Sequence, residues 1–232
     1  MMRTSAARTE IKKRANGEAS RERILDAAVE IAGERGYEGT SIALVSERSG
    51  LPASSIYWHF RDKDNLIAAV IERSFNRWLE GSGARVLPKK GVTRQERFAM
   101  ALRRTAKALE DAPHFLRLGL MLTLERRPRE ASARKLFLKV REEAYRRTLA
   151  SYQAFFGRQL DKAAVRALAT LTMAAADGLF IAHEIDGDDV NFEAAFELLA
   201  AALMGASEHL RHRNARRKPK GGATLRLAPS GR

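Results

Sequence analysis

Between Thr40 and Leu66 the chain reads TSIALVSERSGLPASSIYWHFRDKDNL, and this stretch constrains the fold more than any other. Thr40 or Ser41 offers a side-chain oxygen to cap a short helix, and Ile42, Leu44 and Val45 give that helix an apolar side. Gly50 stands where a helix ends in a left-handed residue, and Leu51 occupies the turn. Pro52, with its fixed φ and missing donor, suits the opening of a second helix that runs to Phe60. Ile56 and Phe60 are four apart and share its buried face, which leaves Ser54, Ser55, Tyr57, Trp58 and His59 for the other faces. An aromatic run of this kind also suits a core cluster. Successive residues on an α-helix point about 100° apart, however, so Tyr57, Trp58 and His59 cannot all turn inward. Two short helices around a glycine turn, with small and polar-tipped side chains outward, fit a DNA groove.

The segment from Ser20 to about Phe75 resembles the DNA-binding domain of the TetR-like family of one-component transcriptional regulators. The likeness rests on the helix, glycine turn, helix and Tyr57-Trp58-His59 triplet, followed by Asp62-Lys63-Asp64-Asn65-Leu66. The resemblance implies a positioning helix at 41–49, a recognition helix at 52–60 and a connecting helix at 62–80. It further implies that Ser54 and Ser55 approach base edges, and that Tyr57 and Trp58 touch base methyls and the sugar-phosphate wall. His59 and Lys63 would hold phosphates, and Thr40 and Ser41 would bind a phosphate at the start of the positioning helix. The chain departs from the family pattern at Pro52 and Ala53, which supply neither a capping serine nor a long polar side chain.

The net charge of +14 sits mostly outside this segment. Residues 1–19 carry +3 and residues 211–232 carry +8, whereas residues 20–80 hold eight basic and ten acidic side chains. A polyanion-binding domain that is itself slightly acidic needs cations from elsewhere. Lys12, Lys13 and Arg14, in an expected flexible basic arm over 1–19, are the candidates for tracking the DNA backbone. The run over 211–232 reads as a disordered basic tail, with non-specific nucleic-acid contact as the alternative. With no cysteine, the chain has no disulfide, no thiolate zinc site and no Cys nucleophile. The polar, basic amino end lacks the apolar core of a signal peptide, and no window of about 18 apolar residues is read. A cytoplasmic protein with no membrane partner is the expectation.

Beyond residue 80 the chain reads as helices throughout, so the fold class is all-α. An N-terminal three-helix helix-turn-helix domain over 20–80 would precede a ligand-binding and dimerisation domain over 81–210. Gly81-Ser82-Gly83 and Pro88-Lys89-Lys90-Gly91 mark a loop, and Thr93 with Glu96 forms a capping box. Further helices follow near 115–124, 129–156, 161–185 and 190–210. Phe98, Leu102, Phe115, Met121, Leu122, Tyr145, Leu149, Met173, Asp177 and Phe180, drawn from four of these helices, are the candidate lining of an effector pocket. The set is mostly apolar with few polar groups, as ligand cavities are; an ordinary core is the other reading of the same residues. The last two helices are rich in alanine, and the resemblance implies that they form the homodimer interface.

No catalytic or metal constellation emerges. His209 and His212 are three apart but have no third ligand, so neither a metal nor a cofactor is expected. The reading is a non-enzymatic regulator, probing double-stranded DNA as a dimer and responding to a small hydrophobic effector. The alternatives are an all-α enzyme acting on a small molecule and an architectural protein that binds DNA without an effector.

Overall fold

The computed structural model describes residues 3–83, 91–124 and 132–217, and its regular structure among them is helical. The helices are α1 (Arg3–Gly39), α2 (Ile42–Ser49), α3 (Ala53–Phe60), α4 (Lys63–Gly83), α5 (Arg94–Asp111), α6 (His114–Leu124), α7 (Ser132–Phe156), α8 (Lys162–Asp186) and α9 (Phe192–Arg217), with a single 3-10 turn over Gly187–Asp189.

Helices α1 to α3 and the first half of α4 close on one apolar cluster, to which Ile24, Leu25, Ile31, Val45, Ile56, Phe60, Leu66 and Ile67 contribute fully or nearly fully buried side chains. The short helices are defined by their ends. Ser41 accepts a hydrogen bond from the Leu44 amide, Gly50 is left-handed at φ 65°, and Arg23 reaches from α1 to donate to the Ser49 carbonyl at 2.7 Å. Arg73 of α4 pairs with Glu22 and Asp26 of α1, and Arg48 of α2 pairs with Glu30, so the domain spends several of its acidic side chains internally.

The second domain is a ring. α4 packs on α5 and α7, α7 on α8, α8 on α9, and α9 returns to α5, while α6 lies between α1, α4 and α7. The capping box at Thr93 and Glu96 opens α5 as its spacing predicts, and Asp161 caps α8. Gly119 of α6 allows a close approach to α7, because a β-carbon there would lie 2.0 Å from the buried Phe137 ring. Gly119→Ala should therefore destabilise the fold by about 1–3 kcal/mol. At roughly 2–4 °C of Tm per kcal/mol for a chain of this size, a thermal melt resolves the change, and an unaltered Tm would refute the tight contact.

Several expected boundaries shift. The amino-terminal arm, read as flexible, is helical from Arg3, because the polar Arg3–Ser20 stretch contains neither proline nor a helix-ending turn to interrupt α1. Lys12 and Lys13 lie on that helix, their side chains outside the described residues. Gly81 to Gly83 continue α4 rather than opening a loop, and α9 runs past 210 to Arg217; residues 84–90 and 218–232 lie outside the described part. Pro52 is the residue before α3 rather than its first turn, with ψ 150°. Helix α8 is apolar enough over its length to pass for a membrane span, contrary to the sequence reading. It is nevertheless a core helix on one side, with Val165, Leu168, Ala169 and Phe180 buried.

Candidate DNA interface and effector cavity

Helix α3 owes its outward face to its inward one. Ile56 and Phe60 are anchored in the core, and the 100° step then turns Tyr57 and Trp58 to solvent, 52% and 76% exposed. Ser54 is exposed beside them and Ser55 is half-buried. Large aromatics this exposed, on a helix held by two buried anchors, form a rigid outward ridge. His59 is half-buried with its ring edge-on to Trp58 at 4.5 Å. Burial, and then the Arg21 charge, hold its imidazole below the usual pKa, which favours the neutral ring at pH 7. After α3 the chain reverses at Arg61, whose φ of 68° and ψ of −44° form a strained γ-turn in which the Asp62 amide donates to the Phe60 carbonyl at 2.8 Å. That turn leaves the Arg61 side chain exposed.

Two of the expected phosphate ligands are already engaged. Thr40 is buried, and its hydroxyl donates to the Gly36 carbonyl at 2.7 Å, so it finishes α1 instead of facing a phosphate. Ser41 is the exposed residue at that corner and the actual cap of α2. The Lys63 amine lies 3.6 Å from Glu38 and 4.4 Å over the Tyr37 ring, which leaves it only partly available. Arg14 is exposed on α1.

The ring of helices encloses a cavity of about 710 Å3, walled by α4, α5, α6, α7, α8 and α9. Phe98, Leu102, Phe115, Met173 and Asp177 line it, as expected from the sequence. The other five expected residues do not. Tyr145 and Leu149 lie at the edge of the lining face of α7, about 80° and 120° around the helix from its centre at Phe137, Thr148 and Phe155, and do not reach the cavity. Leu122 is fully buried in the core, and Phe180 is on the correct face of α8 but one turn past the cavity. Met121 follows His114 and Arg117 along the side of α6 that meets α1, where its thioether lies against Gly36.

Sequence reasoning missed much of the polar lining. Arg94, Arg97, Arg104, Arg141 and Arg147 all border the space, with Asp177 as the carboxylate. Asp177 is clamped by Arg141, which donates through both terminal nitrogens, one at 2.9 Å. The tyrosine in the wall is Tyr152, not Tyr145. Its hydroxyl is 2.8 Å from that of Thr172, and burial pushes its pKa up to about 12, so it stays a neutral hydrogen-bonding group.

The cavity is mechanically connected to the first domain. Ser74 of α4 donates to the Ala112 carbonyl at 3.1 Å and accepts from the Phe115 amide at 3.0 Å, next to a lining residue. Arg117 of α6 donates to the Gly33 carbonyl of α1 at 3.1 Å and pairs with Glu184 of α8. Asp64 at the start of α4 accepts from the first amides of α7. These contacts tie α6 to α1 and α7 to the start of α4.

Residues 24–70 match the family described as bacterial regulatory proteins, tetR family. The amino-terminal domain belongs to that family. The chain is 32% identical over 63 residues to the HTH-type transcriptional regulator AcrR of Shigella flexneri, 27% of this chain and 29% of that one. It is 29% identical over 93 residues to the HTH-type transcriptional repressor KstR of Rhodococcus jostii, 40% and 42% of the respective chains. These sequence matches span less than half the length of either relative. The fold extends further. FadR of Bacillus subtilis, solved in complex with stearoyl-CoA, superposes with a TM-score of 0.64 at 16% identity over 80% of this chain and 98% of its own. Salmonella enterica GusR superposes with a TM-score of 0.60 at 21% identity over 82% and 96%. The helical fold of the second domain is thus shared with these two structures.

Proposed function

We propose that the protein is a homodimeric, ligand-responsive transcription regulator, a repressor that binds a pseudo-palindromic operator and is released by a small, largely hydrophobic effector. The observation that carries this reading is the pairing of a solvent-facing Tyr57-Trp58 ridge with a 710 Å3 cavity that opens at one side, joined through contacts at Ser74 and Arg117. The repressor KstR and the acyl-CoA-bound FadR support it as relatives in sequence and in fold. A DNA-bound role places the protein in the cytoplasm.

The dimer is proposed through α8 and α9. Leu171, Ile181 and Ile185 on α8 and Leu198 on α9 are exposed, interleaved with exposed Ala174, Gly178, Ala194, Ala201 and Gly205. Large apolar side chains set among small ones let helices approach closely, and a self-complementary face of this kind closes with two-fold symmetry. Two recognition helices then meet half-sites one helical turn apart, roughly 34–36 Å.

Induction is a population shift. An effector that prefers the cavity of the release-competent state moves α6 and the end of α4, and through Gly33 and Asp64 changes the tilt of α1 to α3. To swing the operator-competent state from 99:1 to 1:99 that preference must reach about 5.5 kcal/mol.

Selection of an operator from random DNA, then titration of variants, tests the reading. Tyr57→Ala should weaken specific binding by about 1–3 kcal/mol with the fold intact by circular dichroism. Lys63→Ala should weaken all DNA alike and by less, because its amine is shared with Glu38. Unchanged operator affinity in a folded Tyr57→Ala protein would sink the assignment of α3.

A further inference from the structure

The cavity wall is not electrically neutral. Five arginines border it against the one carboxylate of Asp177, and that carboxylate is consumed by Arg141. Arg147 is shared with Glu143 at 2.7 Å, whereas Arg94 stacks 4.3 Å over the Phe155 ring and donates to the Phe155 carbonyl. Arg97, half-buried, has no ion-pair partner among the described residues. Arg94, Arg97 and Arg104 recur at helical spacing along the cavity side of α5, and Arg147 of α7 borders the same space.

These charges are segregated from the apolar lining. Phe98, Leu102, Leu109, Phe115, Phe137 and Phe196 are buried and form the floor. Exposed Gly83, Ala101, Arg147, Ser151 and Ala154 border the same space and mark its mouth. A cation-rich mouth over an apolar floor is complementary to a molecule with one charged end. Arginine forks bind carboxylate and phosphate oxygens with directed, charge-assisted hydrogen bonds, and a half-buried guanidinium without a counter-ion gains most from such a partner. A neutral hydrophobe would fill the floor and leave the arginines as they are.

We propose that the cavity takes an anionic amphiphile, its carboxylate or phosphate head held at Arg97 with Arg94 and Arg147 beside it, and its aliphatic body laid over the phenylalanine floor. This rests on the proposed function in that the cavity is the effector site. A carboxylate from a free fatty acid and a phosphate from a coenzyme A thioester are two sources of the same head-group chemistry.

Calorimetric titration of the full chain with dodecanoate, dodecyl phosphate, lauroyl-CoA and dodecanol decides the matter. The acidic probes should bind at least tenfold tighter than dodecanol. Arg97→Gln, with its melting temperature checked, should erase most of that margin by weakening the acidic probes far more than dodecanol. Dodecanoate binding ahead of lauroyl-CoA identifies the free acid as the source, and the reverse order identifies the thioester. Dodecanol matching the acids, Arg97→Gln weakening every probe equally, or no acid binding at all would overturn the proposal. Operator binding is measured in parallel by gel shift. Acid binding with the Arg97 dependence but without operator release would keep the ligand class and refute the effector role, whereas loss of the ligand class with intact operator binding would leave the regulator reading standing.

Discussion

Leu198→Glu is expected to convert the protein to a monomer and to lower operator affinity about a hundredfold or more. Leu198 is 73% exposed on α9, in a face whose neighbours Ala194, Ala201 and Ala202 are small and also exposed. In an isologous dimer each position meets its symmetry-related surroundings, so the substitution buries two carboxylates among apolar side chains near a two-fold axis with no counter-ion. The consequence for DNA binding follows from valency. Joining two recognition helices makes the second half-site contact intramolecular and raises affinity by roughly 10²–10⁴ over one helix alone. Sedimentation gives the mass and fluorescence anisotropy the affinity. A Leu198→Glu protein that remains dimeric, or a monomer that binds the full operator undiminished, would remove α9 from the interface.

The same argument explains why α8 is so apolar. One side contributes Val165, Leu168 and Phe180 to the core, and the opposite side carries exposed Leu171, Ile181 and Ile185, which the proposed dimer would cover. Asp177 sits between the two, paired with Arg141 inside the bundle. A half-buried ion pair and a solvent-facing apolar strip on the same helix fit a protein interface rather than lipid on all sides.

The helix-turn-helix was legible because its determinants are local. Gly50 sets the left-handed stop, Ser41 the cap, and the four-residue spacing of Ile56 and Phe60 fixes which way Tyr57 and Trp58 point. The cap of α2 was left open between Thr40 and Ser41, since either of two adjacent hydroxyl residues can cap a helix, and the choice depends on where α1 ends. The cavity was harder. Periodicity shows that a helix has an apolar face, but whether a residue on that face meets another helix or an empty space depends on how the ring closes. Tyr145 and Tyr152 are both apolar-side tyrosines of α7, and only the angle of α7 against α4 and α8 brings the second to the wall. The sequence reading assigned none of these arginines to the cavity. A signal was present in the alternation of Arg141, Ala144, Arg147, Thr148 and Ser151, which shares one face of α7, but its meaning required α5 opposite.

Removing residues 1–18 is expected to flatten the salt dependence of DNA binding while sparing sequence preference. The first domain has few free cations near its ridge. Arg48 and Arg73 are paired across helices, Lys63 is shared with Glu38, and His59 is held neutral. Arg61 and the amides at Ser41 can serve only some of the phosphates beside a half-site. Residues 1–18 add Arg3, Arg8, Lys12, Lys13 and Arg14 against Glu10 and Glu18, a surplus of three per subunit. They prolong α1 toward Arg3, so the charge is carried on a helix rather than on a loose arm, and it projects roughly 25 Å beyond the start of the globular core at 1.5 Å per residue. Each phosphate neutralised adds about 0.9 to the slope of log K against log salt, so truncating both subunits should lower that slope by roughly 2–6 units. Specific and non-specific affinity should fall together, because phosphate contacts position a protein and base contacts discriminate. Titrations at several salt concentrations separate the outcomes. An unaltered slope would show that the extension of α1 stays clear of the DNA, and a collapsed ratio of specific to non-specific affinity would show that it reads sequence as well.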